Sequence, residues 1–294
     1  MDGFLNLNKP QNFTSHDCVA KLRKILKTKK IGHGGTLDPL ATGVLPIAIG
    51  KATRLLQFLP TGKAYQAKIR FGIVTTTDDL EGDIIKKTSA FDLTLEKITP
   101  YLQDFIGKIQ QTPPAYSAIK KEGKKLYELA RKGEIIDIPK REVEITKIDI
   151  LDWVNGEFPE LDLQVFCGSG TYIRSIARDL GEKLGTGATL SALNRTLSCG
   201  MIIENSLDFE DITSQKKTSD FKLINLDYPL ENLSMINLNE DESKRWCQGQ
   251  KIVINNNVDN QFYRTYNYLC EFIGISELKM DENIKLIKPK VVIN

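Results

Sequence analysis

The sequence has no apolar run near the ~18 residues that a membrane-spanning helix requires. Its first residues, MDGFLNLNKPQNFTS, lack the charged-then-apolar pattern of a secretory signal. Its five cysteines are odd in number and widely spaced along 294 residues, which argues against a disulfide framework and for a reducing compartment. These absences predict a cytoplasmic protein without membrane association.

Histidine and the common cofactor motifs are also scarce. His16 and His33 are the only histidines and there is no CxxC pair, so a His/Cys metal site is not expected. The chain has no GxxxxGK[ST] phosphate loop, no GxGxxG after a strand and no GxSxG nucleophile elbow. We therefore predict a protein that uses neither a metal nor a cofactor.

The composition is that of a globular protein, with 41% hydrophobic and 27% charged residues. The charge is unevenly distributed. Residues 1–70 hold twelve Lys and Arg against three Asp and Glu, whereas residues 226–294 hold eight against ten. Such asymmetry suggests that the basic end meets a polyanion, although a solvated basic face explains the same pattern equally well.

The hydrophobic pattern predicts two domains, 1–225 and 226–294. In the first, helical spacing predicts a helix capped by Ser15 and a second over 171–184, and Thr53 could cap another. Alternating apolar residues predict strands over 65–73, 142–150 and 161–167. A polar stretch over 206–225 predicts a linker, and the tail combines a helix over 240–247 with short strand-like segments. The expected fold class is α+β.

Asp38 stands out because it lies in the loop sequence HGGTLDPLATG. The glycines allow backbone to approach a ligand closely, and Pro39 stiffens the position of the carboxylate. An exposed carboxylate is ionised at neutral pH and can act as a nucleophile without a base. A simple Asp-Pro turn explains the same residues, and the local sequence alone favours that interpretation.

Arg174 and Tyr65 each allow two interpretations. Arg174 lies just off the apolar stripe of the 171–184 helix, from which it can turn into a cleft and pair with a carboxylate, or cover the stripe at the surface. Tyr65 begins an alternating strand, where it can pack in the sheet or provide a platform on which a nucleobase stacks.

A further group of residues has the composition of an RNA-binding surface. His33 lies beside glycines and can stack on or donate to RNA, or be an ordinary loop histidine. A basic segment interleaved with Tyr116 and Tyr127 fits either a grip on a nucleic-acid backbone or an exposed amphipathic helix. Its cations are Lys120, Lys121, Lys124 and Lys125.

Six segments, in this order along the chain, resemble motifs of the TruB family of tRNA pseudouridine synthases. They match KPxGxTS at 9–15, GHxGxLDPxAxGxLP at 32–46, KxY at 63–65, TxTxDxxG at 75–82, QxPPxYSAxKxxGxxLYxxAR at 111–131 and GTYIRxxxxDLGxxLG at 170–185. The motifs cover about residues 1–200, and a chance match of six in order is not credible.

The resemblance implies isomerisation of uridine 55 in the T-loop of tRNA to pseudouridine, in which no group enters or leaves and no cofactor is needed. It makes Asp38 the nucleophile, attacking either the uracil ring or the anomeric carbon of the ribose. Arg174 would pair with Asp38. Tyr65 would stack on the target base and assist a later proton transfer.

The resemblance also implies substrate-binding residues. Tyr172 and Leu193 would line the uracil pocket, and His33 would help to hold the T-loop open. Lys9, Arg141 and the 111–141 insertion would contact the RNA, offsetting the cost of flipping the target out of its stack. The implied fold has a mixed, largely antiparallel sheet followed by a PUA-like β-rich module.

Two departures from the family motifs bear on these expectations. Asn12 replaces a glycine in the opening turn, which is mild because Asn tolerates positive φ. Asn194 replaces the first arginine of an LRR motif while Arg195 remains, so one phosphate-facing charge is expected to be lost.

Two other functions remain open at this stage. One is a guide-dependent H/ACA-type pseudouridine synthase subunit, against which the 111–141 insertion argues because it is typical of stand-alone enzymes. The other is a tRNA-folding chaperone without catalysis, which the presence of Asp38, Tyr65 and Arg174 disfavours. The resemblance implies a monomer that binds the T-arm of tRNA without an obligatory protein partner.

Overall fold

The computed structural model describes residues 1–116, 138–254, 260–281 and 284–293, together with the backbone of 120–121 and 124–125. The helices of this described part are α1 (Ser15–Leu26), α2 (Leu95–Leu102), α3 (Ile173–Lys183), α4 (Phe209–Thr218) and α5 (Glu240–Cys247). None of them is both long and apolar enough to cross a membrane.

The strands of the described part fall into two larger sheets and two small hairpins. Those up to residue 202 are β1 (Gly3–Lys9), β2 (Ile31–His33), β3 (Thr42–Ile49), β4 (Lys63–Phe71), β5 (Ile73–Thr75), β6 (Ile84–Lys87), β7 (Gly107–Gln111), β8 (Lys120–Lys121), β9 (Lys124–Lys125), β10 (Arg141–Val154), β11 (Glu160–Cys167), β12 (Ala188–Ser198) and β13 (Met201–Ile202). The later ones are β14 (Met235–Asn237), β15 (Ile252–Val253), β16 (Phe262–Tyr266), β17 (Phe272–Asp281) and β18 (Ile284–Val292).

The larger sheet has the order β1-β3-β12-β4-β11-β10-β7, with β2 added to β3 and β13 to β12. Its pairs are antiparallel except β12 with β3, which run parallel where Asn194 and Arg195 face Thr42 and Gly43. The smaller sheet has the order β14-β16-β17-β18-β15. This arrangement confirms the predicted α+β class with a mixed, largely antiparallel sheet.

Strand β4 lies at the centre of the larger sheet because its apolar residues alternate. Tyr65, Ala67, Ile69 and Phe71 are all buried on one face and pack in one cluster with the apolar stripe of α3. Burial of each large apolar side chain stabilises the fold by ~1.5–3 kcal/mol. The same alternation therefore both forms the strand and carries Tyr65 to the edge of the cleft described below.

Helix α1 begins one residue earlier than predicted. Thr14, not Ser15, is the N-cap: its hydroxyl accepts from the backbone N–H of Asp17, whose carboxylate accepts from the backbone N–H of Thr14. The prediction of Ser15 as the cap is wrong because Ser15 is already helical and buried, and its hydroxyl bonds the backbone of Leu37 instead.

The linker predicted over 206–225 is also wrong, because residues Phe209–Thr218 form α4. Asp208 caps this helix in a reciprocal arrangement with Asp211. Its buried residues Phe209 and Ile212 pack in the cluster that also contains the apolar face of α1. Two apolar residues in a polar stretch are too few to show a helical period, so this helix depends on tertiary contacts.

The helix that Thr53 was predicted to cap is replaced by two short 3-10 turns, Gly50–Arg54 and Leu56–Phe58. Between them Leu55 is fully buried, and its backbone N–H donates to the carbonyl of Ala52. Burial of closely spaced apolar residues here favours a tight, irregular path over a regular helix.

The two sheets share an apolar cluster. Phe58, from the part of the chain before 226, meets Phe262 of β16 edge to face, with ring centroids 5.2 Å apart and planes at 71°. Lys51 Nζ donates to the carbonyl of Ile293 over 3.3 Å, and Arg54 donates to that of Val292. The two parts are thus packed against each other, and the boundary at 225 stays a prediction.

Candidate active site

A cleft of about 870 Å³ opens beside the centre of the larger sheet. Its walls come from the loop between β2 and β3, the start of β4, the turn that follows β5 and the N-terminus of α3. Six of the residues singled out from the sequence line it, namely Asp38, Tyr65, Tyr116, Tyr172, Arg174 and Leu193. The fold therefore brings together residues that are up to 155 positions apart in the chain.

Asp38 and Arg174 form an ion pair in this cleft. Arg174 Nη2 lies 2.9 Å from Asp38 Oδ2. The Asp38 side chain is 39% exposed, whereas that of Arg174 is only 6% exposed. A buried guanidinium thus holds a carboxylate that remains accessible from the cleft.

Arg174 bridges two carboxylates and does not chelate one. Its Nη1 lies 3.4 Å from Asp79 Oδ2 and donates to the carbonyl of Thr77 over 2.9 Å, while Nη2 also donates to the carbonyl of Tyr116 over 3.1 Å. Asp79 is 2% exposed and also accepts from the Thr77 hydroxyl and the Glu81 backbone N–H. These contacts fix the orientation of the guanidinium.

The sequence interpretation gave Asp79 no role, although it lies in the 75–82 motif. The feature that could have identified it is a carboxylate close to several threonines in the sequence. Their hydroxyls can donate hydrogen bonds to the carboxylate when it is buried. Its partner Arg174 lies 95 positions away, so only the fold shows that the two meet.

The loop that carries Asp38 is held by the first residue of α1 and by the turn that joins β1 to α1. Ser15 Oγ accepts from the backbone N–H of Leu37 over 2.9 Å. The backbone N–H of Asn12 donates to the carbonyl of Pro39 over 2.9 Å, and Asn12 has the positive φ, 65°, that its place in the turn suggested. The residues on both sides of Asp38 are therefore fixed.

Lys9 completes this support, and the structure does not place it where RNA could touch it. Its side chain is fully buried, and Nζ donates to the carbonyls of Pro10, Phe13 and Pro39 at 2.9, 2.6 and 3.3 Å. Burial lowers the pKa of this ammonium group. The expectation of a direct substrate contact by Lys9 is corrected to a supporting role, because all of its donors are directed at backbone.

Arg195, the arginine that remains in the motif beside Asn194, also supports the loop. It is fully buried, and it donates to the carbonyls of Val44, Thr36 and Gly35 at 2.7, 3.3 and 3.2 Å. Alternation along β12 puts Arg195 on the same inward face as Leu193. This two-residue alternation is the feature of the sequence from which an inward-facing arginine could have been predicted.

Asn194 points to the other side of β12 and contacts the strand beside it. Its Oδ1 accepts from the Thr42 hydroxyl over 3.3 Å, and the residue is half-buried. A β-carbon at Gly43 would lie 2.4 Å from Asn194 Oδ1, which makes this a close strand-to-strand contact. The local packing, rather than a missing phosphate contact, accounts for the asparagine here.

Tyr65, Tyr172 and Leu193 form the less polar part of the cleft lining. Tyr65 is 6% exposed, and burial raises the pKa of its phenol, so the side chain is neutral at neutral pH. The backbone of Tyr172 is held by Gln111, whose side-chain amide accepts from its N–H over 2.8 Å and donates to its carbonyl over 3.0 Å. Gln111 is a buried positioning residue that the sequence interpretation missed.

His33 and Arg141 do not line the cleft. His33, in β2, packs edge to face against His16, with ring centroids 5.6 Å apart. Burial, and then the neighbouring His16, lower the pKa of His33. Arg141 is exposed at the start of β10, beside Gln111 of β7.

Most of the 111–141 insertion lies outside the described residues. This applies to Tyr127 and to the side chains of the four lysines, whose backbone forms the hairpin β8–β9. The prediction that this segment grips RNA therefore stays a prediction.

Two family descriptions and several known proteins match this sequence. Residues 23–173 match the family described as TruB family pseudouridylate synthase (N terminal domain), and residues 234–293 match pseudouridine synthase II TruB, C-terminal. The tRNA pseudouridine synthase B of Gloeothece citriformis is 54% identical over 301 residues, covering 100% of this chain and 98% of its own length. The protein of the same name from Synechocystis sp. is 47% identical over 298 residues, with both chains fully covered.

Similarity in structure extends further than similarity in sequence. A chain in a crystal structure of a Cbf5–Nop10–Gar1 complex is 27% identical and superposes with a TM-score of 0.73, covering 98% of this chain and 83% of its own length. The fold thus occurs both in relatives named as tRNA pseudouridine synthases and in a protein crystallised with partners.

Proposed function

Because the chain belongs to the TruB family of pseudouridylate synthases, we propose that it converts uridine 55 in the T-loop of tRNA to pseudouridine. The observation that carries the proposal is the Asp38–Arg174 ion pair, with its accessible carboxylate, beside the aromatic side chains of the cleft. The relatives named tRNA pseudouridine synthase B match the whole chain, which supports tRNA as the substrate.

The reaction is an isomerisation in which atoms and electrons balance within the nucleoside. The bond between uracil N1 and the anomeric carbon breaks, the uracil turns, and a bond forms from its C5 to the same carbon. C5 loses a proton and N1 gains one, so no redox partner or donor group is required. The residues needed are a nucleophile, a group that manages protons and a pocket that retains the free base.

Asp38 is the proposed nucleophile. Its ion pair with Arg174 keeps the carboxylate oriented, while its exposure leaves it free to reach a nucleotide in the cleft. Attack at the uracil ring or at the anomeric carbon of the ribose both use the same carboxylate. Arg174, anchored by Asp79, is proposed to hold that carboxylate in position through the rotation of the base.

Tyr65 is proposed to stack on the target base and to assist the proton transfer. Its phenol is neutral at neutral pH, since burial raises its pKa. Tyr172 and Leu193 are proposed to complete a slot of the size and polarity of a pyrimidine, and stacking in such a slot is worth ~1–3 kcal/mol per base. The uridine must leave its helical stack to enter this slot, at a cost of a few kcal/mol.

Contacts outside the cleft are proposed to offset the free-energy cost of moving the uridine out of its stack. The exposed Arg141 lies at the start of β10, close in the sheet to Gln111 and thus to the Tyr172 side of the cleft. His33 is proposed to help hold the T-loop open, and the 111–141 insertion to contact the RNA backbone. Recognition of a folded loop by shape fits this distribution of contacts better than reading of sequence.

A second candidate is a synthase that works only with partner proteins and a guide RNA. The likeness to the chain of the Cbf5–Nop10–Gar1 complex favours it. Full-length relatives at 54% and 47% identity that are named tRNA pseudouridine synthase B favour a stand-alone enzyme more strongly. A chaperone without catalysis is disfavoured because it would not require the buried support of Asp38.

The experiment is to incubate the purified chain, alone, with an unmodified full-length tRNA and to map pseudouridine at every uridine. The proposal predicts conversion at one T-loop uridine only. Absence of conversion, with addition of a partner complex required to restore it, would replace the proposal with the second candidate. Conversion at other positions would show that the position specificity is wrong.

A further inference from the structure

Lys63 is a cation in the cleft that has no charge partner in the part of the chain that the structure describes. It is the first residue of β4, is half-buried, and lines the same cleft as Tyr65 two residues later. Within the described residues its ammonium group has no carboxylate within 4 Å and no hydrogen-bond acceptor. Lys68, on the same strand, lies 3.5 Å from the carboxylate of Asp162.

The surroundings of Lys63 disfavour its charge. Burial lowers the pKa of its ammonium group, and the neighbouring Arg195 lowers it further. Arg195 donates to backbone carbonyls and also bonds the phenol of Tyr65, and among the described residues its charge has no carboxylate partner either. Two cations that share a partly buried site without an anion are electrostatically costly, and a bound anion would relieve that cost.

Gly35 leaves space for such an anion. Its φ is +113°, and a β-carbon at this position would lie 3.9 Å from Lys63 Nζ and 3.7 Å from Arg195 Nη1. Any side chain here would therefore project into the region that the two cations border. The glycine thus serves as an open approach for a ligand as well as a turn.

We propose that Lys63 binds a phosphate of the RNA backbone next to the nucleotide that enters the cleft. A lysine ammonium acts as a compact point charge toward phosphate. Lys63 and Tyr65 lie two positions apart on one strand, ~6.6 Å along it, so one can bind the phosphate while the other meets the base. This inference rests on the RNA substrate proposed above.

The test compares Lys63→Gln with Lys68→Gln, a matched control on the same strand whose lysine is already paired. Equilibrium binding of an unmodified T-arm stem-loop is measured by fluorescence anisotropy over a range of salt concentrations. Lys63→Gln is expected to weaken binding by about tenfold and to make the salt dependence shallower by about 0.7–1 in slope. Lys68→Gln and Lys63→Arg should bind as the unaltered chain does.

A second measurement locates the phosphate. Stem-loops carrying a single neutral methylphosphonate on the 5′ or the 3′ side of the target uridine are bound to both proteins. One of the two methylphosphonates is expected to weaken RNA binding by the unaltered chain by the same factor as the Lys63→Gln substitution does. The same methylphosphonate should not weaken RNA binding by the Lys63→Gln protein any further. Turnover of the unmodified stem-loop by the unaltered chain is recorded separately, so a failure of the proposed function is distinguishable.

Three results would overturn the inference. The first is unchanged affinity and salt slope in a folded Lys63→Gln protein. The second is that each methylphosphonate weakens RNA binding by the Lys63→Gln protein as much as it weakens binding by the unaltered chain. The third is competition by inorganic phosphate that depends on Lys63 while both methylphosphonates bind normally, which would assign the site to a free phosphate ion.

Discussion

At the scale of single residues, the site depends on one buried guanidinium that serves two carboxylates. Arg174 holds Asp38 with one terminal nitrogen and Asp79 with the other. Asp79 is buried and accepts hydrogen bonds from Thr77 and Glu81, so it anchors the arginine, and the arginine in turn anchors the exposed Asp38. The planar shape of the guanidinium is what lets both contacts form at once.

Arg174→Lys is therefore expected to reduce turnover by roughly a hundredfold while RNA affinity changes little. A lysine has a single ammonium and cannot contact both carboxylates with the same geometry. Single-turnover kinetics and equilibrium binding on the same stem-loop separate the two effects. The control is Arg178→Lys on the same helix, whose arginine pairs with Asp78 outside the cleft lining.

A loss of affinity with an unchanged turnover rate in Arg174→Lys would contradict this account of the arginine. So would an equal loss of turnover in Arg178→Lys, because the effect would then be one of helix stability.

Residue patterns predicted the accessible acid better than the buried cations. The glycine-rich loop and the proline after Asp38 drew attention to this carboxylate, and the family resemblance, not the local sequence, favoured a functional role for it over a simple turn. The family resemblance gave Lys9 a contact with the RNA, and Arg195 was noted only as the arginine that remains in its motif. Their acceptors are backbone carbonyls of distant residues, such as Pro39 for Lys9, which sequence patterns do not show.

At the scale of elements, hydrogen bonds from neighbouring elements fix the conformation of the loop between β2 and β3. At one side, Ser15 of α1 and Lys9 of β1 form hydrogen bonds with the backbone of Leu37 and Pro39. At the other, Arg195 of β12 donates to the carbonyls of Gly35 and Thr36. Separate elements thus hold the residues on either side of Asp38. If Asp38 is the nucleophile, as proposed, fixing it in advance lowers the cost of reaching a reactive geometry.

Ser15→Ala tests this support. It leaves the backbone N–H of Leu37 without its acceptor, which costs ~1–3 kcal/mol when the group is buried, and it loosens the loop. We expect turnover to fall by about tenfold, with RNA binding less affected. The single-turnover rate and the thermal stability are both measured for the variant and for the unaltered chain.

Thr14→Ala is the matched control, since it removes the cap of the same helix at a similar cost of ~1 kcal/mol without touching the loop. Equal losses of turnover in the two variants would show that helix stability alone matters and would contradict the role assigned to Ser15.

Elements with strong periodicity were predictable and those without it were not. The alternation of β4 and the apolar stripe of α3 gave both elements because they pack on each other in the core. Helix α4 was missed because only Phe209 and Ile212 face the core, so the helix forms through its cap and its contact with α1.

At the scale of the whole molecule, the C-terminal β sheet is part of the support of the site-bearing sheet. The apolar cluster between them includes Phe4 of β1, Leu55 and Phe58 from the 3-10 turns, and Ile275 of β17. The sequence predicted two modules but gave no sign of this contact, because the matching residues are about 200 positions apart. The predicted boundary therefore divides a shared core.

Phe58→Ala tests the shared core. It removes the ring that contacts Phe262 and should lower the free energy of unfolding by about 3 kcal/mol, with unfolding remaining a single transition. Calorimetry and denaturant titration measure both properties. Phe91→Ala is the control, since that ring is 73% exposed and should cost little.

Two well-separated unfolding transitions in the unaltered chain would contradict the shared core. A Phe58→Ala variant as stable as the unaltered chain would do the same.

The central claim is that the carboxylate of Asp38 performs the isomerisation without a partner. It is tested most directly by following release of tritium from C5 of the target uridine in a T-arm stem-loop, with the unaltered chain and with Asp38→Asn. We predict release and pseudouridine formation by the unaltered chain, and none by Asp38→Asn, although this variant folds and binds the stem-loop nearly as well. Appreciable turnover by folded Asp38→Asn would contradict the account.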